Sequence, residues 1–455
     1  MQNMGRGVGI MRFLLVGNGA REHAIAEAIC RNNSVSLFAF MNAKNPGIAK
    51  LCEKTGGKFE IGNICDGAAI VNFAVANSIS LSFSSPDATL QAGVSDALIA
   101  KGIPCASPTK SASRVEWDKS FARNLMKKYA IGGSPKFGVF KGADEAAKFI
   151  DSLKGEAAVK PSGLTGGKGV KVVGVQLKDA EEAKEYAREI LQSNMGGLKE
   201  LVIEEKLIGE EFTLQAFCDG KTLIPMLLVQ DHKLAFENET GPNTGGMGSY
   251  SDANHLLPFI SQEEYDFAVS IMQQTILALS SESSSFTGVL YGQFIATKEG
   301  IKVIEFNARF GDPEAMNALA LLEADLYSVM ESMAKGTLAD TPISFAKKAT
   351  VCKYLVPKSY PGKSEENEEI KINGEALAKS NAKIYYSSVY EKEGKIYTQK
   401  SRSIGVLGIA GSISEAERIS EDGCTSISGV LRHRRDIGTK ALINRKIERM
   451  NKIRS

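Results

Sequence analysis

The stretch VKPSGLTGGKGV, residues 159–170, decides how the chain is read. Four glycines fall between Gly163 and Gly169. Glycine removes side-chain bulk and permits positive φ, so backbone N–H groups can close around an anion. Lys168 adds a charge, and Lys160 supplies a second cation eight residues earlier. The loop is not a Walker A motif. Ser162 stands where that pattern needs its first glycine, and Gly169 where it needs Ser or Thr. The flanking segments 157–160 and 170–175 both read as strands, which makes the loop a hairpin flap over phosphates. Taken alone, a plain glycine hairpin competes with that reading.

Outward from the flap, the strand signals continue at 201–204, 212–217, 223–229, 291–296 and 302–306. A helical stretch carrying Trp117, Phe121 and Leu125 precedes it, and Ser280–Ser285 reads as a polar loop. Nearer the start, the apolar runs at 12–16, 36–40 and 80–83 alternate with helical patterns, which implies a βα layered domain with a parallel sheet. It ends near Ser107-Pro108. After Pro342 come an acidic loop at Glu365–Glu369, a buried-strand candidate at 405–410 and an amphipathic C-terminal helix. Residues 432–455 hold nine Lys or Arg against two Asp or Glu. A solvated helix face is the plain reading of that charge, and a polyanion contact is the alternative. These shifts predict domains at 11–111, 112–336 (with a flap subdomain over about 126–200) and 337–455.

The run VIEFNARFGDPE, residues 303–314, carries the next chemistry. Side chains alternate along a strand, so Glu305 and Asn307 share a face. Their oxygens are hard ligands suited to Mg²⁺. Gln293 lies on the preceding strand and can face the same site, and Arg309 suits a carboxylate or phosphate. An ordinary polar edge strand is the competing reading. QDHK (230–233) and GPNTGGMG (241–248) are too small and polar to pack a core, and read as loops approaching a small ligand. GNGAREH (17–23) follows a strand and opens a helix, where backbone N–H groups favour phosphate. It is not a nicotinamide fingerprint: Glu22 replaces the third glycine, and no acidic residue ends the next strand near position 40.

The 455 residues bear a formal net charge of +2, with 43% hydrophobic and 24% charged residues. That balance gives no global electrostatic case for nucleic acid or an anionic membrane. No apolar run nears the roughly 20 residues a bilayer span needs. The glycines of Met1–Ile10 exclude a secretory signal core, and Met11 is a candidate start. Seven scattered cysteines fit neither a disulfide framework nor a zinc site, and point to a reducing cytoplasm.

Taken in order, GNGAREHA (17–24), VKPSGLTGGKGV (159–170), VIEEKLIGEEFTL (202–214), QDHK (230–233), TGPNTGGMGSYS (240–251) and VIEFNARFGDPE (303–314) resemble the phosphoribosylamine–glycine ligases of the ATP-grasp superfamily. The resemblance is strong over 11–340. Beyond that, RRDIG (434–438) is its clearest point. It implies a multidomain α/β (α+β) ATP-grasp fold, with an N-terminal Rossmann-like parallel-sheet domain and a C-terminal α+β domain. It also implies an ATP-dependent enzyme that makes glycinamide ribonucleotide for purine biosynthesis, working as a monomer or weak homodimer with Mg²⁺ or Mn²⁺. ATP would meet Lys119, Lys160, the flap glycines Gly163, Gly166 and Gly167, and Lys168. Glu204, Glu205 and Leu207 would border adenine, and Glu211 the ribose. Gln293, Glu305 and Asn307 would hold metal. Glycine and phosphoribosylamine would meet Gly17, Asn18, Gly19, Arg21, Glu22, Asp231, Asn243, Thr244, Gly245, Gly246, Arg309 and Asp312, with Arg309, Lys168 and Asp231 acting catalytically. The chain departs from the pattern at Ser85-Pro86-Asp87, where glycine–proline–glutamate is common, and at Ser107. Competing functions are another ATP-grasp carboxylate–amine ligase or carboxylase component, an oxidoreductase, and a non-catalytic binding protein. The GPNTGGMG loop, the broken glycine fingerprint and the retained Glu305, Asn307 and Lys168 argue against them in turn.

Overall fold

Four apolar segments of the first hundred residues pair in the order Phe59–Ile61, Val35–Met41, Met11–Val16, Leu81–Ser84 into a parallel sheet. Parallel pairing demands crossover connections, supplied by helices such as Ala20–Ile29, Pro46–Lys54 and Gly67–Ala76. Helices on both faces bury successive residues alike. Phe13 and Leu15 join one core while Leu14 and Val16 join another. The structure, a computed structural model, describes residues 11–165 and 169–455.

A nine-stranded antiparallel sheet follows. Its order is Gly300–Asn307, Thr287–Thr297, Glu210–Asp219, Leu223–Asp231, Gly248–Ser251, Ala349–Pro357, Ile404–Ala410, Lys383–Tyr386, with Leu431–Arg432 beside Ala349–Pro357. Strands from the middle and last thirds of the chain thus share one sheet. A separate antiparallel sheet, Phe137–Phe140, Leu201–Glu205, Ala157–Pro161, Lys171–Val172, carries the glycine loop at its edge. Helices Ala143–Ser152 and Ala180–Ser193 cover it, and it has its own core around Ile150, Val159, Tyr186 and Ile190.

Two local expectations change. The strand expected over 170–175 is only Lys171–Val172, because the chain turns at Gly174 (φ +78°). The loop expected from Ser280 begins later, since helix Gln262–Ser281 runs on. The Ser280 hydroxyl donates to Gly220 O at 2.7 Å and the Ser281 hydroxyl to Leu277 O at 2.9 Å, so these serines are satisfied within a helix. All seven cysteines are free thiols. Among the described residues, no helix is long and apolar enough to cross a membrane.

The basic C-terminal helix, Lys440–Arg454, is a solvated face only in part. Lys446 lies 2.9 Å from Glu210 and 3.3 Å from Glu239, Arg449 lies 2.9 Å from Glu210, and Arg454 lies 2.6 Å from Glu264. Acids of the middle region therefore engage cations that a polyanion would need. Arg434 of RRDIG is fully buried between Glu239 (2.5 Å) and Asp436 (2.8 Å), and also donates to Leu234 O at 3.0 Å. The first region docks on the last through Asn45, whose Nδ2 donates to Tyr386 O at 2.8 Å, and through His23, whose Nδ1 accepts from Tyr386 N at 3.0 Å.

Breaking one side of a buried ion pair costs roughly 3–5 kcal/mol. Arg434→Met is expected to lower folding stability by about 3 kcal/mol on that scale. An unchanged urea midpoint would remove Arg434 from the forces joining these regions.

Candidate active site

Strand register builds the floor of the site. It sets Gln293 opposite Glu305 and Thr213, and Tyr291 opposite Asn307. Glu211, Thr213, Gln293, Glu305 and Asn307 therefore share one sheet face, and Asp231 ends the next strand, two residues beyond the Val229–Thr213 pair. The Gln293 amide oxygen accepts from the Tyr291 hydroxyl and from Thr213 Oγ1 (3.1 Å), while its Nε2 donates to Glu211 Oε2 at 3.0 Å. Asn307 Oδ1 accepts from Arg309 at 3.0 Å, and Arg309 pairs with buried Glu116 at 3.1 Å. Glu305 has no hydrogen-bond or ion-pair partner among the described residues. Burial alone would raise its carboxyl, but Lys119, Lys233, Lys160 and Arg309 outweigh that and hold it below the usual range.

Beside this face is a cleft lined by Glu116, Lys119, Lys160, Glu204 and Glu305, among others. Glu204 is buried, with Oε1 accepting from Arg123 at 2.6 Å and Oε2 from Lys160 at 2.7 Å. Burial would raise its carboxyl, but the two cations hold it low. Arg123 also donates to Val303 O (2.9 Å) and Ile304 O (2.8 Å). Lys119 opens helix Lys119–Lys128, capped by Asp118, and its Nζ lies 3.4 Å from Gly163 O. Burial and Lys160 depress its ammonium, against the pull of Glu305. At Gly163 a Cβ would fall 1.9 Å from Gly196 O, so only glycine fits. Gly166, Gly167 and Lys168 lie outside the described residues. Glu205 Oε1 accepts from Lys136 N at 2.8 Å. Half-buried Leu207 lies in the segment leading into strand Glu210–Asp219, where Glu211 accepts from Lys233 at 3.3 Å. Asp231, 4.0 Å from Lys233, is pushed up to about 6, by burial first, then by Glu314 and Glu211.

The remaining substrate candidates come from two directions. Asn243 ends the exposed strand Thr240–Asn243. Thr244 Oγ1 donates to Lys233 O at 2.8 Å and accepts from Gly246 N at 3.0 Å. Asp312 accepts from the Tyr354 hydroxyl at 2.5 Å and pairs with Arg402 at 3.1 Å. In the first region, Gly17, Asn18 and Gly19 join strand to helix. Glu22 takes the Gly19 N–H (2.6 Å) that the sequence reading leaves for phosphate. Its other oxygen accepts from Arg21 (2.6 Å) and Ser85 (2.6 Å). Arg21 also donates to Phe310 O at 3.2 Å, which brings the first turn against the 303–314 segment. Sequence reasoning missed Glu116, Arg123, Tyr354 and Arg402. The first two sit in an unremarkable helical stretch, and the last two belong to the region where the motifs fade.

Family models match along the whole architecture. The phosphoribosylglycinamide synthetase N domain matches residues 11–116, its ATP-grasp (A) domain 117–315 and its C domain 350–440. A phosphoribosylamine–glycine ligase of Methanosarcina barkeri is 51% identical, over 98% of this chain and all of its own. One of Methanopyrus kandleri is 46% identical, with 98% and 100% covered. The solved Thermotoga maritima phosphoribosylamine–glycine ligase superposes with a TM-score of 0.77 at 22% identity, covering 94% of this chain and 100% of its own. A Campylobacter jejuni biotin carboxylase superposes at 0.72 and 13% identity, covering 97% and 99%, a likeness of fold alone.

Asp231 generates a prediction with a definite sign. Its folded pKa of about 6 lies above its ordinary value of 3.8. Its contribution to stability is therefore complete below that ordinary value, and is lost as pH rises through about 6. Asp231→Asn is expected to match wild-type stability near pH 4 and exceed it above pH 6, read as urea midpoints across that range. A parallel offset at every pH would contradict the shift.

Proposed function

The chain belongs to the phosphoribosylglycinamide synthetase family, and from that premise we propose that this site joins glycine to 5-phosphoribosylamine at the expense of ATP. The observation that carries the reading is Glu305, an acid whose side chain has no partner among the described residues, in the field of Lys119, Lys160, Lys233 and Arg309 and on the same strand face as Asn307. Cations gathered around a free carboxylate suit a polyphosphate that arrives with its metal. The donors are all hard oxygens, which fits Mg²⁺ or Mn²⁺ held by Glu305 and Asn307, with Gln293 directly opposite. A bound divalent ion would neutralise charge on the transferring phosphoryl group.

In the first step the glycine carboxylate attacks the γ-phosphorus, an O–P bond forms and the bond to ADP breaks. In the second the amine nitrogen attacks the carbonyl of glycyl phosphate. A C–N bond forms, the C–O bond to phosphate breaks, and nitrogen loses a proton. Catalysis of this kind is mostly positioning and charge neutralisation. We assign Lys119 and Lys160 to the phosphates, with Gly163 beside them. Glu204, Glu205 and Leu207 border the base, and Glu211 the ribose. Glu204 contributes through its backbone, since its side chain is committed to Arg123 and Lys160. Gly17 to Gly19, Arg21, Glu22, Asp231, Asn243 to Gly246, Arg309 and Asp312 serve the other two substrates, and the acyl phosphate is made between the two groups. Free cysteines support a cytoplasmic setting.

The reading is tested by phosphate release with ATP and each substrate singly and together. Full turnover is expected only with glycine and phosphoribosylamine both present. Turnover dependent on bicarbonate instead would move the chain to carboxylase chemistry. Glu305→Ala is expected to cut turnover at least 100-fold in a folded protein, and excess chelator to do the same to wild type. Full activity in either case removes the metal assignment. At Gly19 a Cβ would lie 2.7 Å from Glu22 Oε2. Gly19→Val is therefore expected to raise KM for phosphoribosylamine well beyond that for ATP, and equal rises would place the amine elsewhere.

A further inference from the structure

The TGPNTGGMG segment is held by a side chain far along the sequence. Arg402 stands two residues before strand Ile404–Ala410, its side chain 12% exposed. Its Nη1 donates to Gly245 O at 2.6 Å, Gly246 O at 3.1 Å and Asp312 O at 3.0 Å, and its Nη2 pairs with Asp312 Oδ2 at 3.1 Å. The guanidinium lies 4.5 Å from the centre of the Tyr354 ring, whose hydroxyl binds the same Asp312. The two glycines follow from this packing. A Cβ at position 245 would fall 3.0 Å from Arg402 Cζ, and one at 246 would fall 2.8 Å from Pro313 Cδ at a φ of +110°.

We propose that Arg402 is a positioning residue for the two non-nucleotide substrates, a role that rests on the ligase reading above. It binds three carbonyls and a carboxylate at once, which fixes the Gly245-Gly246 backbone against the Asp312 turn. A planar guanidinium with several donors can do this, and an ammonium cannot reach all four acceptors. The role concerns glycine and phosphoribosylamine rather than ATP for a geometric reason. None of its hydrogen-bond partners lines the cleft of Lys119, Lys160 and Glu204. The Asp312 turn instead follows Phe310, whose carbonyl meets Arg21 of the first region.

The test measures KM for all three substrates in wild type, Arg402→Met and Arg402→Lys, beside urea unfolding. In Arg402→Met we expect at least a tenfold rise in KM for glycine or phosphoribosylamine with the ATP value within twofold, and partial recovery in Arg402→Lys. A Gly245→Ala substitution should harm wild type in the same direction and be nearly neutral once Arg402 is Met, because the guanidinium that crowds the new methyl is then gone. Should Arg402→Met fail to fold, the same split is read from Arg402→Lys and from Gly245→Ala alone. The inference is overturned by unchanged KM values for glycine and phosphoribosylamine in a folded variant, by an ATP value that rises as much, or by equal harm from Gly245→Ala in both backgrounds. A wild-type protein that makes no amide overturns the ligase reading itself. An active wild type with unmoved variants overturns only the role of Arg402.

Discussion

A buried carboxylate without water must be answered by cations, and the answer to Glu204 organises this molecule. Glu204 belongs to the small sheet at whose edge the glycine loop lies, Lys160 to the neighbouring strand of that sheet, and Arg123 to the helix that opens with Lys119. Arg123 reaches on to the carbonyls of Val303 and Ile304, in the strand that carries Glu305. One charge cluster thereby fixes the small sheet, the lysine-bearing helix and the polar face of the large sheet against each other. Removing one member would leave a charge stranded, so the arrangement is held more tightly than a surface ion pair could hold it.

The same logic recurs where the last third of the chain meets the site. Gly245 and Gly246 of GPNTGGMG look like freedom in the sequence, but in the fold they leave room for Arg402 and Pro313. A loop that must approach a small ligand has little apolar surface to pin it. Here charge-assisted bonds to its carbonyls replace packing.

What was legible followed from periods and short-range chemistry. Alternation placed Glu305 and Asn307 on one face, and the strand–turn–helix reading of residues 11–29 holds. Strand register is a tertiary property, so that Gln293 stands directly opposite Glu305 was only a possibility in the sequence. Which donors are already taken was hidden too. The Gly19 N–H looks free for phosphate until the rotamer of Glu22 is known. Arg402 and Arg123 gave no signal, because their partners are backbone carbonyls and a distant acid, and backbone carbonyls leave no mark on composition.

Adjacent residues of one strand show how the domains cooperate. Glu210 and Glu211 point to opposite sides of the large sheet. Glu211 faces Lys233 and Gln293 on the side assigned to nucleotide, while Glu210 faces Lys446 and Arg449 of the C-terminal helix. The helix thus grips the back of the strand whose front carries Glu211. Gln230 reinforces the grip, its Nε2 donating to Glu211 O at 3.0 Å while Tyr250 holds its oxygen. A basic helix that looked like a solvated tail therefore bears on the face that carries Glu211 through a single peptide unit, and its charge is explained by the acid behind that strand.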